Sequence, residues 1–139
     1  MSDYADWNRK IIEEFRANEG KVGGPFEGAP VLLITTTGAK SGRLYTTPVM
    51  YLSEDGKLYV FASKAGAPTN PDWYHNLLAN PRVTLEVGTE RFDATATPVQ
   101  AEERDRIYAE QARRYPGFAE YQEKTSRLIP VVELVRVDS

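Results

Sequence analysis

The sequence predicts an α+β fold: a small antiparallel β-barrel of about six strands with helices packed outside it. Three observations predict it. Short β-branched or alternating runs are joined by tight turns, as hairpin-linked strands require. Helical patterns lie at the start, in one crossover and near the end of the chain rather than between every pair of strands. The 139 residues, 41% apolar and 27% charged, suit a single domain over 1–139 with one core, and neither linker, repeat nor low-complexity stretch divides them.

The elements follow in order. Residues 1–20 form the N-terminal helical segment, with a helix predicted over 3–19. Trp7, Ile11 and Phe15 recur every four residues, Tyr4 and Ile12 widen the stripe, and Gly20 stops it. Residues 21–30 then read as a loop. The run VLLITTT (31–37) is a strand buried on both faces. After the turn GAKSG, residues 44–52 form a second strand, in which Pro48 marks an edge, a bulge or a bend. The Asp55-Gly56 pair turns the chain into a third strand over 58–63. A polar loop leads to a short helix with Asn70 as its cap, Pro71 at its first position and Asp72 in its first turn; Asn80-Pro81 ends it. Strands over 82–88 and 89–99, a charged helix over 101–114, a further turn or two over 118–125 and a strand over 130–137 complete the chain.

Composition excludes several classes of chemistry. With no cysteine and a single histidine, His75, the chain has no disulfide, thiolate nucleophile, iron–sulfur cluster or multi-histidine metal site, so no metal is expected. Redox or group transfer would need an imported cofactor. A formal charge of −3 argues against a nucleic-acid partner held by phosphate neutralisation. There is no apolar leader and no run of spanning length, so the expectation is a cytoplasmic protein without stable membrane insertion. The amphipathic first helix could rest on a membrane or a partner, but its mixed charges favour covering a core.

Candidate chemistry begins in Thr35–Tyr51, which holds Lys40 and Arg43 and no acid, with Gly38 and Gly42 freeing the backbone. Such a turn reads as a phosphate or carboxylate cradle, or as a solvated hairpin turn. It is not a Walker loop, because Ala39 stands where glycine is needed and a strand follows. Ser63-Lys64-Ala65-Gly66 is a second cradle, and the two turns meeting at one barrel rim would set three cations around one polyanion. The helix behind it offers Trp73, Tyr74 and Asn76, which could wall a planar ring, although Trp73 also suits a core anchor. His75 suits the surface. Tyr108, Tyr115, Phe118 and Tyr121 read as packing over the barrel mouth or as a lid whose hydroxyls meet a substrate.

TTGAKSG, the following TTPVMY, SKAGA with NPDWYHNLLANP, and the late RYPGFAEYQ with IP together resemble the deazaflavin (coenzyme F420)-dependent nitroreductase family over about residues 30–135. The resemblance implies a split β-barrel that holds F420 in a groove. It places Lys40, Ser41 and Lys64 on the cofactor's phosphate and acidic tail, with Ala39 among the cofactor-binding residues. It sets Thr46, Thr47, Pro48, Val49 and Met50 under the deazaflavin ring, with Phe61, Ala62, Ser63, Trp73, Tyr74, His75 and Asn76 as further cofactor contacts. Tyr115, Phe118 and Tyr121 fall on the substrate side. The sequence departs from the family at Tyr45, where a basic residue is usual and Arg43 is the nearest substitute, and at Phe118, where a tyrosine can occur. The implied function is transfer of a hydride from reduced F420 (F420H2) to a small electron-poor acceptor: a quinone, an unsaturated lactone or enone, or a nitro compound. Ser63, Tyr115 and Tyr121 are the candidates to meet the developing negative charge. The alternatives are an FMN enzyme of the same barrel type and a non-catalytic carrier. The expected oligomeric state is a monomer or weak homodimer.

Overall fold

The computed structural model describes residues 3–22, 30–54, 56–63 and 69–137, with side chains of the first helix described from Asn8 onward. The turn residue Asp55, the second-cradle residues Lys64 and Gly66, and the Tyr4 and Trp7 side chains therefore lie outside what is described.

The elements run α1 (Asp3–Ala17), β1 (Val31–Thr37), β2 (Leu44–Glu54), β3 (Lys57–Phe61), α2 (Asp72–Ala79), β4 (Arg82–Val87), β5 (Glu90–Pro98), α3 (Ala101–Arg114), α4 (Gly117–Glu123) and β6 (Val131–Arg136). The six strands close into one antiparallel barrel in the order β1-β2-β3-β6-β5-β4. β1 is central to closure: it pairs with β2 from Val31↔Met50 to Thr37↔Leu44 and with β4 through Leu33↔Glu86, Ile34↔Leu85 and Thr35↔Thr84. Its unbroken apolar run is explained by cover on both faces.

Alternation sorts the strand residues into two layers. Leu32, Ile34, Val60, Ala62, Val83, Leu85, Ala94, Ala96, Val132 and Leu134 fill the barrel, and Trp73 and Leu77 of α2 close one end. The outward set splits between two covers. Ile11 and Phe15 of α1 bury Val31 and Leu33, while Ile107, Tyr108 and Phe118 of α3 and α4 bury Leu52, Tyr59, Phe61 and Val131. The apolar face of α1 at Ile11 and Phe15 is thus spent on the barrel. Among the described residues, no helix is long and apolar enough to cross a membrane.

Three details differ from the sequence reading. β3 stops at Phe61, short of Ser63, because the carbonyls of Ala62 and Ser63 turn to a side chain, that of Arg127. Asn70 does not cap α2: Pro71 holds the cap position without a side-chain bond, and the Asn70 amide oxygen accepts from Arg127 instead. β2 runs on to Glu54, and its two halves have different surroundings. Tyr51–Glu54 pair with β3, whereas Leu44–Met50 pair with β1 alone. Pro48 sits in that second half, where a strand edge is open.

Candidate functional site

The β1–β2 turn is bent by its glycines and pinned by α2. Gly42 has φ +73°, a conformation glycine adopts at little cost. At Gly38 a Cβ would fall 2.5 Å from Ser41 Oγ and 2.9 Å from the Tyr45 ring, so a side chain there would fill the bend. Gly38 N–H donates to the Arg43 carbonyl (2.7 Å) and Gly42 N–H to that of Gly38 (3.0 Å). Ser41 Oγ accepts from Arg43 N–H (3.2 Å) and pairs with the Tyr45 hydroxyl (3.2 Å). Tyr45 thus braces the turn through Ser41.

Asn76 ties this turn to the barrel end. Its Oδ1 accepts from Ala39 N–H (3.0 Å), and its Nδ2 donates to Thr36 Oγ1 (3.2 Å), a hydroxyl buried inside the barrel. One turn on, Asn80 Nδ2 donates to the Thr37 carbonyl (3.3 Å). Lys40 and Arg43 are exposed on the pinned turn, and neither forms an ion pair among the described residues. Two cations on a fixed, glycine-bent backbone can hold an anion.

The turn leads directly into the open edge of β2. Tyr51 N–H donates to the Pro30 carbonyl on the β1 side (3.2 Å). By antiparallel alternation Tyr45, Thr47 and Val49 also direct their backbone groups toward β1, and Thr46, Pro48 and Met50 direct theirs away from it. Pro48 therefore lacks its N–H at a position where no ladder bond is lost. Among the described residues no strand pairs with this edge at Thr46 or Pro48, so Thr46 leaves N–H and C=O, and Pro48, a buried residue, leaves its C=O, without a ladder partner. The side chains divide differently. Val49 packs toward the barrel interior and Met50 toward the two outer clusters, while the Thr46 hydroxyl pairs with that of Thr35 (2.8 Å). Thr46 and Pro48 thus share an open backbone edge, and the side chains of residues 46–50 share no single face.

Of the other cofactor candidates, Asn76 borders the turn, Ser63 is buried, Tyr74 is half-buried and His75 is exposed. Trp73 is 7% exposed and is the core anchor of α2; Phe61 and Ala62 are likewise buried. Phe61 points outward under α3 and α4, edge-on to Tyr108 (5.9 Å) and Phe118 (5.6 Å).

The aromatic patch is built around Phe118, a buried ring that also stands edge-on to Tyr121 (5.3 Å). Tyr108 is buried beneath it and donates its hydroxyl to the Phe118 carbonyl (2.6 Å), with its pKa pushed up to about 12 by burial. Tyr115, at the end of α3, and Tyr121, on α4, remain partly exposed. Tyr51 lies close enough to Tyr115 that the two phenols interact; burial first, then Tyr115, raises the Tyr51 pKa. Tyr51 was legible as the next residue in the 47, 49, 51 alternation, and it links β2 to the patch. Arg127, Gln122 and Arg104, which organise the connection between α4 and β6, carried no sequence signal: each is an isolated polar residue in an ordinary charged stretch.

With this geometry in place, comparisons with known proteins become informative. Residues 7–136 match the family described as F420H(2)-dependent quinone reductase. The chain is 43% identical over 129 residues to an F420H(2)-dependent quinone reductase of Mycobacterium tuberculosis, covering 88% of this chain and 85% of that relative. A solved F420-H2 dependent reductase, FDR-A, superposes with a TM-score of 0.69 at 45% identity, covering 76% of this chain and 93% of that one. A structure described as a domain-swapped dimer has a TM-score of 0.71 at 40% identity, covering 95% and 97%.

Proposed function

Because the chain belongs to the F420H(2)-dependent quinone reductase family, we propose that it passes a hydride from reduced F420 to a quinone, with unsaturated lactones or enones and nitro compounds as further acceptors. The observation that carries the residue-level reading is continuity. One stretch, Gly38–Met50, presents two free cations at one end and an unpaired hydrogen-bonding edge at the other. A cofactor with an anionic tail and a ring bearing carbonyl and N–H groups fits both ends of that stretch.

In this reading Lys40 and Arg43, with Lys64 as the third cation, hold the anionic tail, and Ala39, Ser41 and Tyr45 keep the turn in shape. The backbone of Thr46 and Pro48 meets the polar edge of the ring, with Thr47, Val49 and Met50 completing the strand beneath it. Tyr74, His75 and Asn76 border the ring or tail from α2, while the buried Phe61, Ala62 and Trp73 fix the floor. When bound, the reduced deazaflavin supplies the hydride from its C5. The chain's own task is to orient ring and acceptor at near-attack distance and to exclude water. Tyr115 and Tyr121, backed by Phe118, line the acceptor side. Their hydroxyls, with that of Ser63, meet negative charge developing on the acceptor oxygen.

The test has two arms. F420 and FMN are titrated separately into the purified chain, with ligand fluorescence as the readout; F420 binding is expected. Oxidation of F420H2 is then followed with menadione, an enone and a nitro compound, with turnover fastest on menadione. Tight FMN binding without F420 binding would establish the flavin alternative, and F420 binding without turnover on any acceptor a carrier. Light scattering on the same sample decides between a monomer, a weak homodimer and a stable dimer.

A further inference from the structure

Arg127 lies in the connection between α4 and β6, outside every motif the sequence offered. Its Nη1 donates to the Ala62 carbonyl (3.1 Å) and to Asn70 Oδ1 (2.7 Å), and its Nη2 donates to the Ser63 carbonyl (2.9 Å). The β3–β6 ladder ends at Phe61↔Val131, so these carbonyls lie beyond the last paired rung. The guanidinium takes over from the ladder. A planar fork of donors can serve acceptors on both sides of a loop at once, which a point charge cannot. It grips the chain just before residues 64–68, at Ala62 and Ser63, and just after them, at Asn70. Burial lowers the pKa of the guanidinium, with Tyr108 acting in the opposite direction. An arginine remains charged regardless, so the three bonds are charge-assisted.

The main chain of Arg127 is held in turn by α4. Gln122 Nε2 donates to the Arg127 carbonyl (2.7 Å), and Gln122 Oε1 accepts from Arg104 Nη2 (2.7 Å) and from Ile129 N–H (3.1 Å). Arg104, which is buried, also donates from Nε to the Ile129 carbonyl (3.0 Å). One continuous set of bonds therefore joins α3, then α4 with Phe118 and Tyr121, then Arg127, then Ser63 and Asn70.

We propose that Arg127 is a positioning residue for hydride transfer. It fixes Ser63 and Asn70 on the cofactor side and ties both to the helix carrying the acceptor-side aromatics. It acts through Ser63 and Asn70, not by touching the reacting atoms. The proposal rests on the F420 reading above.

The experiment compares the full chain with Arg127→Met, Arg127→Lys and Asn70→Ala. The Kd for F420 is measured by fluorescence, kcat and KM for F420H2 are measured with menadione, and thermal melting serves as a folding control. Arg127→Met is expected to weaken F420 binding about 30-fold, on the scale of losing charge-assisted bonds, and to lower kcat at saturating F420H2. Arg127→Lys, which keeps the charge but not the fork, should recover binding to within about 5-fold of the parent. Asn70→Ala should weaken it about 3-fold, as for one lost bond. If folded Arg127→Met binds F420 and turns over like the parent, the proposal is overturned. If Arg127→Met fails to fold, the other two variants decide: reduced affinity in both supports the proposal, and parental affinity in both overturns it. A parent chain that binds no F420 overturns the functional reading instead, so the two failures are distinguishable.

Discussion

The two sides of the candidate site are built on opposite principles. The turn side, Gly38–Met50, is exposed from Ala39 to Tyr45 and half-buried along β2, bends through glycine and is anchored to the barrel end by Asn76 and Asn80. The aromatic side packs around the buried Tyr108 and Phe118 of α3 and α4, with rings meeting edge-on and a chain of hydrogen bonds from Arg104 to Arg127. The first side leaves charges and backbone groups available; the second leaves few groups free and fixes where they point. Substitutions on the turn should therefore change cofactor affinity. Substitutions within α3 and α4 should change turnover or stability, whereas Arg127, which joins those helices to Ser63 and Asn70, should change affinity as well.

The largest effect expected from this division is at Lys40. Lys40→Ala removes a cation that makes no other described contact. It should weaken F420 binding by about 10–100-fold, the scale of a charge-assisted contact, with the melting temperature unchanged. Fluorescence titration checks the affinity and calorimetry the stability; a large loss of stability instead would show the turn to be structural. On the other side, Tyr121→Phe should leave the F420 Kd unchanged and lower kcat about tenfold, as when one donor to developing charge is removed. Weaker F420 binding in that variant would mean that the two faces are wrongly assigned.

The fold was largely legible because its signals are local. β1 and α3 coincide with their predicted ranges, since an apolar run and a charged amphipathic stretch each mark their own limits. Pro48 signalled an edge, a bulge or a bend without deciding among them, and nothing local to it showed how much of β2 lacks a second partner strand. That depends on β3 being short, which is a property of a different segment. The candidate site was legible where glycines and cations cluster in sequence, as at Gly38–Arg43. It was hidden where function depends on reach. Asn70 looked like a helix cap because capping is a local rule, yet Arg127, 57 positions away, takes its side-chain oxygen. Phe61 and Trp73 could pack or bind on sequence grounds, and only the layer each one faces identified both as buried.

Gln111 sharpens the contrast within the aromatic side. It is fully buried on the inward stripe of α3, and neither its Nε2 nor its Oε1 has a partner among the described residues. Unpaired buried amide groups cost about 1–3 kcal/mol. Gln111→Met keeps the length of the side chain and removes the polar atoms. It should raise stability by about 1–2 kcal/mol and the melting temperature by roughly 3–6 °C. Urea unfolding checks the first and calorimetry the second; a destabilised variant would show that the amide is satisfied in solution, by water for instance.

The smallest effect at neutral pH, and the most specific, belongs to Tyr108. Tyr108→Phe removes the bond to the Phe118 carbonyl and should cost about 1 kcal/mol at pH 7. The pH dependence separates that bond from burial. Burial raises the folded-state pKa to about 12, against about 10 for an unfolded tyrosine. Below the lower value both states keep the proton, and the stability linked to it is fully present. Between the two values the unfolded chain releases the proton while the folded chain retains it, so stability falls as pH rises through this window. The phenylalanine variant lacks this loss. Its unfolding free energy should therefore approach that of the parent above pH 10 and overtake it before pH 12. Tyr51 and Tyr59, also raised mainly by burial, titrate in both proteins and cancel in the comparison. Parallel curves across the window would show that the Tyr108 phenol is hydrated, and that this side of the site is less firmly closed than the turn side is open.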